Sequence, residues 1–187
     1  MGTSINQSSP RTLNWKAAQA GYRDADVPIS RVAAEVWRAA MNQPSGNLER
    51  LLAQPIVARI GALVEQSTSS LDLSRKSAFE IARSKQSTLA TEIARRACVQ
   101  VAGTKDWRAD FTAKLFSEAT AYLVSRDLPG FVGLGRVHNV EEAVRFKSSL
   151  SQYAADVARR VERPRELTGR NWADHVKKVV KQLRGGK

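Results

Sequence analysis

Apolar residues recur at helical spacing along most of this chain, and this periodicity limits the folds open to it. Between residues 29 and 40 they follow i, i+3, i+4, i+7, i+8 and i+11, which places them on one helical face: Ile29, Val32, Ala33, Val36, Trp37 and Ala40. Comparable faces recur in the segments 55–65, 74–101, 107–128, 140–161 and 171–185, and no segment alternates convincingly as a strand does. The pattern predicts an all-α protein.

The breaks between these segments predict an irregular domain of about six to eight helices rather than a clean four-helix bundle. We expect a mobile arm over residues 1–12, a helical domain over 13–162, and a basic linker with a C-terminal helix over 163–187, which can attach loosely. A short helix over 13–22 is expected to end at Gly21. The polar stretch 83–87 leaves open whether residues 74–101 form one helix or two.

The composition suits one ordinary domain and excludes several classes of protein. A chain of 187 residues can bury one core. Its single cysteine, Cys98, allows no internal disulfide. There is no apolar run of signal-peptide type near the start, and no stretch long enough to span a bilayer. We therefore expect a cytoplasmic protein with no membrane partner.

Charge is the least ordinary property of the sequence. The formal net charge is +12, and residues 159–187 carry ten basic and three acidic residues, a net of +7. In the last helix the cations fall opposite the apolar face, so this end could bind nucleic acid or an acidic partner. A merely solvated face explains the same pattern. The candidate contacts are Arg163, Arg165, Arg170, Lys177, Lys178, Lys181 and Arg184.

Candidate catalytic and metal-binding residues are sparse. His138 and His175 are the only histidines, and neither belongs to a cluster with metal-ligand spacing. Cys98 lies among apolar residues of a predicted helix, which favours a buried structural thiol. No paired carboxylates suggest acid–base chemistry. The sequence therefore predicts no enzyme activity, no metal and no cofactor.

The stretch 127–138 is a glycine-containing loop that precedes a helix. Asn139 is expected to cap that helix, with Glu142 completing a capping box. Glycines ahead of a helix can cradle an anion. However, the sequence has neither a nucleotide-binding glycine spacing nor a preceding strand. A turn that needs positive φ explains the glycines equally well. The glycines are Gly130, Gly133 and Gly135, and His138 is the one neighbouring side chain worth testing.

The chain begins Met1-Gly2-Thr3-Ser4, followed by a short arm that contains serine and proline. This start resembles that of the QatB-like small components of bacterial antiphage defence operons that also encode a QueC-like enzyme. The resemblance covers about ten residues of 187. It implies that a QueC-like partner attaches a deazaguanine to Gly2 after removal of Met1, and that an ATPase belongs to the same complex. Trp15, just behind the arm, could anchor it to this protein or to a partner.

These observations predict a non-enzymatic interaction component, part of a bacterial antiphage defence complex, whose N-terminal arm is gripped or modified by a partner enzyme. The alternative is a nucleic-acid-binding protein that uses the basic C-terminal helix.

Overall fold

The computed structural model describes residues 10–41, 47–66, 88–101, 104, 106–162 and 169–185. These ranges contain eight α-helices and, apart from an isolated bridge between Leu134 and Val137, no β-structure. The helices are α1 (Pro10–Arg23), α2 (Ile29–Met41), α3 (Leu48–Leu52), α4 (Pro55–Gln66), α5 (Leu89–Val101), α6 (Trp107–Asp127), α7 (Val140–Arg160) and α8 (Gly169–Leu183). The predicted all-α fold is confirmed.

The start of α7 follows the predicted cap. The side chain of Asn139 accepts a hydrogen bond from the Glu142 N–H at 2.9 Å. The Glu142 carboxylate accepts one in return from the N–H of His138 at 2.8 Å, one residue earlier than in the usual capping box. These bonds satisfy two backbone donors and fix where the α6–α7 loop ends.

Helix α1 differs from its predicted bounds at both ends. It begins at Pro10, a residue suited to a first turn, and continues past Gly21 to Arg23. A Cβ on Gly21 would lie 2.7 Å from a methyl carbon of Val32, so this glycine allows α1 and α2 to approach closely. The predicted helix stop at Gly21 is wrong because the glycine serves packing. Residues 1–9 of the predicted arm lie outside the described residues.

Aromatic side chains connect the helices in one core. Trp37 of α2 donates to the Thr120 hydroxyl of α6 at 3.1 Å. Trp172 of α8 donates to the carbonyl of Leu52, at the end of α3, at 2.8 Å. The buried indole N–H groups of Trp37 and Trp172 thus both have an acceptor, as such groups require. The most extensive helix–helix contact joins α6 and α7.

Helix α8 belongs to this core. Its five large apolar side chains are at most 1% exposed, and it contacts α2, α3, α4 and α7. These residues are Trp172, Val176, Val179, Val180 and Leu183. The expectation of a loosely attached C-terminal helix is therefore corrected: burial on this scale holds the helix in place.

Three apolar residues that the periodicity places on inward faces are in fact exposed. Ile56 is 42% exposed, Tyr122 47% and Val144 56%. Helical spacing alone therefore does not ensure that the described part of the chain covers a side chain. Periodicity locates the centre of a buried face, whereas its width depends on the packing partners.

Candidate basic interaction surface

Five of the seven predicted contact residues lie in the described part of the chain, and all five are exposed. They are Arg170, Lys177, Lys178, Lys181 and Arg184. Arg163 and Arg165 lie outside the described residues. The five occupy the side of α8 opposite its buried face, and we call this side the basic face. The structure thus confirms the amphipathic arrangement, while what the face binds remains a prediction.

Four of these cations form a line along the helix. Arg170, Lys177, Lys181 and Arg184 are spaced by seven, four and three residues, which keeps them on one stripe about 21 Å long. One acid interrupts the stripe. The Asp174 carboxylate lies 3.9 Å from the Lys177 ammonium, and both side chains are more than half exposed. With Arg184, which directly follows α8, the five cations and one carboxylate give the basic face a charge of +4.

Arg38 of α2 lies against the C-terminal end of the basic face. Its guanidinium donates to the carbonyl of Arg184 at 2.7 Å and also pairs with Glu35. A cation at this position suits the negative end of the α8 dipole. The sequence offered no sign of this neighbour, because 146 positions separate the two arginines.

His175 and Trp172 fix the rotation of α8. His175 is 3% exposed, and its Nδ1 lies 3.1 Å from the carbonyl oxygen of Glu162. Burial lowers the pKa of His175; the hydrogen bond to Glu162 opposes this effect and the charge of Lys178 adds to it. The neutral ring therefore donates through Nδ1. The histidine fastens the helix and is not available as a surface ligand.

Hydrogen-bond donors of the glycine loop are bonded to carbonyl groups of the protein itself. The N–H of Gly133 donates to the carbonyl of Val137 at 2.7 Å, and that of Arg136 to the carbonyl of Arg23 at 3.1 Å. The Arg136 guanidinium donates to the carbonyls of Ala25 and Val27, each at 2.6 Å. These donors hold the α1–α2 connection and do not point to an anion. The turn interpretation of the glycines is the one the geometry supports.

Cys98 is a buried thiol, as predicted. It is 1% exposed, and its Sγ lies 3.8 Å from the carbonyl oxygen of Ile60. Burial raises its pKa to about 12, which keeps the sulfur protonated at neutral pH. A protonated, enclosed thiol is a poor nucleophile.

Trp15 anchors the start of α1 to this protein. Its half-buried ring packs against the core, and the Arg126 guanidinium carbon lies 4.8 Å from the ring centroid. Of the two roles considered for Trp15, the structure thus shows the contact with this protein. Gly2 itself lies outside the described residues, so its predicted modification stays a prediction.

Within the described ranges, no group of three or more His, Cys, Asp or Glu side chains could hold a metal ion. In the same ranges, no helix has the length and apolar character needed to cross a membrane. Comparisons of the chain with protein families, with curated proteins and with solved structures find no match.

Proposed function

We propose that this protein is a non-enzymatic interaction component that makes two kinds of contact. One is through the residues that precede α1, which a partner enzyme grips or modifies. The other is through the basic face of α8, which binds a polyanion. The resemblance at the N-terminus supports the first contact, and it also supports the proposal that the protein is part of a bacterial antiphage defence complex.

The anchoring of α1 is the structural observation that supports the first contact. Trp15 packs α1 against the core and Arg126, so the helix that follows the N-terminal residues in the chain is held in place. Eight peptide units separate Gly2 from Pro10, and covalent geometry lets them extend up to about 28 Å. That reach would bring an exposed Gly2 amine into a partner's active site while the helical body stays outside it.

Intact-mass measurement after co-expression with a QueC-like enzyme and an ATPase tests this contact. We expect loss of Met1 and an added mass that equals a deazaguanine. Gly2→Ala keeps a small second residue and should therefore still lose Met1. Gly2→Leu should retain Met1 and remain unmodified. A mass equal to the unmodified chain, with no co-purifying partner, would reject the N-terminal proposal.

The second contact is carried by one observation: five exposed cations on a helix whose other side is locked in the core. Because α8 cannot rotate, the ligand meets a preformed stripe and loses little free energy in ordering it. A nucleic-acid backbone fits such a stripe, since lysine and arginine bind phosphates without needing to read bases. This is the second candidate function, nucleic-acid binding.

A mobility-shift titration with duplex DNA at two salt concentrations tests the second contact. If all five cations meet phosphates, affinity falls with salt with a log–log slope of about −4.5. The double variant Lys177→Gln/Lys181→Gln should weaken binding and reduce the slope by about 2. Lys16→Gln/Arg31→Gln removes two exposed cations from α1 and α2 and should change little. No binding at low salt, or equal losses in the two double variants, would reject this contact.

A further inference from the structure

Exposed large apolar side chains are concentrated at the end of the α6–α7 hairpin. Of the six in the described part of the chain, four lie between residues 122 and 144: Tyr122, Leu134, Val140 and Val144. Val140, at 69%, is the most exposed of the six. Contiguous exposed apolar surface on a folded protein marks a contact site, whereas single residues do not.

A cleft of about 450 Å³ opens within this patch. One wall comes from the 3₁₀ turn Leu128–Phe131 and its neighbour Val132, and the other from the first two turns of α7. The apolar lining residues are Leu128, Pro129, Val132, Val140, Ala143 and Val144. We call this feature the hairpin cleft. The caps on α7 hold one of its walls in position.

The rim of the cleft carries one cationic side chain that forms no ion pair with a described residue. Lys147 is its one charged lining residue, and it has no carboxylate partner in the described part of the chain. The neighbouring acids are already engaged: Glu141 pairs with Arg145, Asp127 with Arg126, and Glu142 accepts the His138 N–H. None of these described carboxylates forms an ion pair with Lys147.

We propose that the hairpin cleft binds an acidic amphipathic helix of a partner protein, with apolar side chains between the 3₁₀ turn and α7 and a carboxylate at Lys147. A helix fits because the described part of the chain has no strand edge that a peptide could extend. Two further exposed apolar side chains lie close to the lining residues along the chain: Tyr122 is three residues before Ser125, and Leu134 is two residues after Val132.

A second copy of this chain is a poorer occupant. A two-fold contact would place the same surface on both sides, so the rim with Lys147 would face its own counterpart. Two chains of charge +12 also repel each other. Charge complementarity therefore selects an acidic partner.

Fluorescence anisotropy with two designed peptides tests this proposal. Both are short amphipathic helices with leucine at i, i+3, i+4 and i+7. The polar face of one peptide carries glutamate, and that of the other carries lysine. We expect the full-length protein to bind the glutamate peptide. The neutral double variant Val140→Ser/Val144→Ser should weaken binding about tenfold or more, since it removes apolar contact area alone.

Two further variants make the test specific. Val99→Ser changes a comparably exposed valine on α5, 55% exposed, and should bind as the wild type does. Lys147→Glu should reverse the preference in favour of the lysine peptide. No peptide binding, equal affinities of the wild type and the double serine variant, or an unchanged preference in Lys147→Glu would each overturn the proposal. So would a dimer, seen by sedimentation velocity, that the double serine variant abolishes, since that outcome identifies a second copy as the occupant.

Discussion

Three glycines of the α6–α7 loop differ in what their missing side chains allow. A Cβ on Gly130 would meet no atom within 4 Å, and the residue has no positive φ. Gly133 also faces open space, but its φ is 88°. At Gly135 φ is 56°, and a Cβ would lie 1.9 Å from the carbonyl oxygen of Arg23. The loop thus contains a graded series from free to obligatory glycine.

Alanine substitution at these positions should reproduce that series in urea unfolding. Gly130→Ala is expected to be close to neutral. Gly133→Ala should cost about 1 kcal/mol, from the left-handed backbone alone. Gly135→Ala should cost about 3 kcal/mol or more, because the backbone of Arg23 must also move. Equal effects at Gly133 and Gly135 would contradict the close approach between the loop and α1.

His175 is the residue that should make stability depend on pH. Its folded pKa lies below the ordinary 6.5 because the ring is buried, so below that pH the unfolded chain binds more protons than the folded one. The contribution of the neutral His175 to the free energy of unfolding is then complete above about pH 6.5. As the pH is lowered below this value, the free energy of unfolding decreases by up to about 1.4 kcal/mol per pH unit. Urea unfolding between pH 7.5 and about 5 measures this. His175→Gln should flatten the profile, whereas His138→Gln, at an exposed site, should leave it unchanged.

At the scale of the element, α8 combines two tasks on opposite faces. Its apolar side chains fasten it to the surrounding helices. Among the described acids, only Asp174 lies close enough to pair with its cations. Asp174 lies within the cation stripe and opposes any phosphate that binds there. It therefore provides a sensitive probe of the ligand's charge.

Asp174→Asn should raise the affinity for duplex DNA about fivefold at low salt, the effect of removing about 1 kcal/mol of repulsion. The mobility-shift titration described above measures it. Glu141→Gln on α7 is a matched control, because Glu141 is also an exposed carboxylate paired with a cation on its own helix. An unchanged or lower affinity in Asp174→Asn would show that phosphates do not bind along this stripe.

Element boundaries were only partly predictable. The capping residues before α7 were read correctly because a cap is a local interaction between residues three or four apart. For the segment 74–101, the described part begins at residue 88, where the Thr88 hydroxyl accepts the Thr91 N–H at 3.3 Å and α5 begins at Leu89. This local cap supports a separate helix start there. Residues 67–87 lie outside the described residues.

At the scale of the whole molecule, the question is whether the body folds without α8. Trp172 fills space beside Phe111 of α6, with ring centroids 6.1 Å apart, and bonds to the end of α3. The buried Trp, Val and Leu side chains of α8 each contribute about 1.5–3 kcal/mol on burial. A domain has only about 5–15 kcal/mol of net stability, so the body depends on this helix.

A chain truncated after residue 162 should therefore lose cooperative thermal unfolding and its near-ultraviolet circular dichroism. The full-length Lys177→Gln/Lys181→Gln variant should keep both, since it alters only the exposed face. A truncated chain that melts as the full-length protein does would restore the view of α8 as an appendage. For the same reason, substitutions rather than deletion are the appropriate test of the basic face.

The sequence by itself determined the helical class, the inward centre of each helical face, the cap at Asn139 and the outward side of the α8 cations. All of these depend on residues within a few turns of one another, where helical geometry dictates position. Only the tertiary structure decided that α8 is part of the core, that Arg38 meets Arg184, and that Val140 and Val144 border an open cleft. Burial at such places depends on which distant helix covers a face and how far it extends, and apolar periodicity carries no information about that partner.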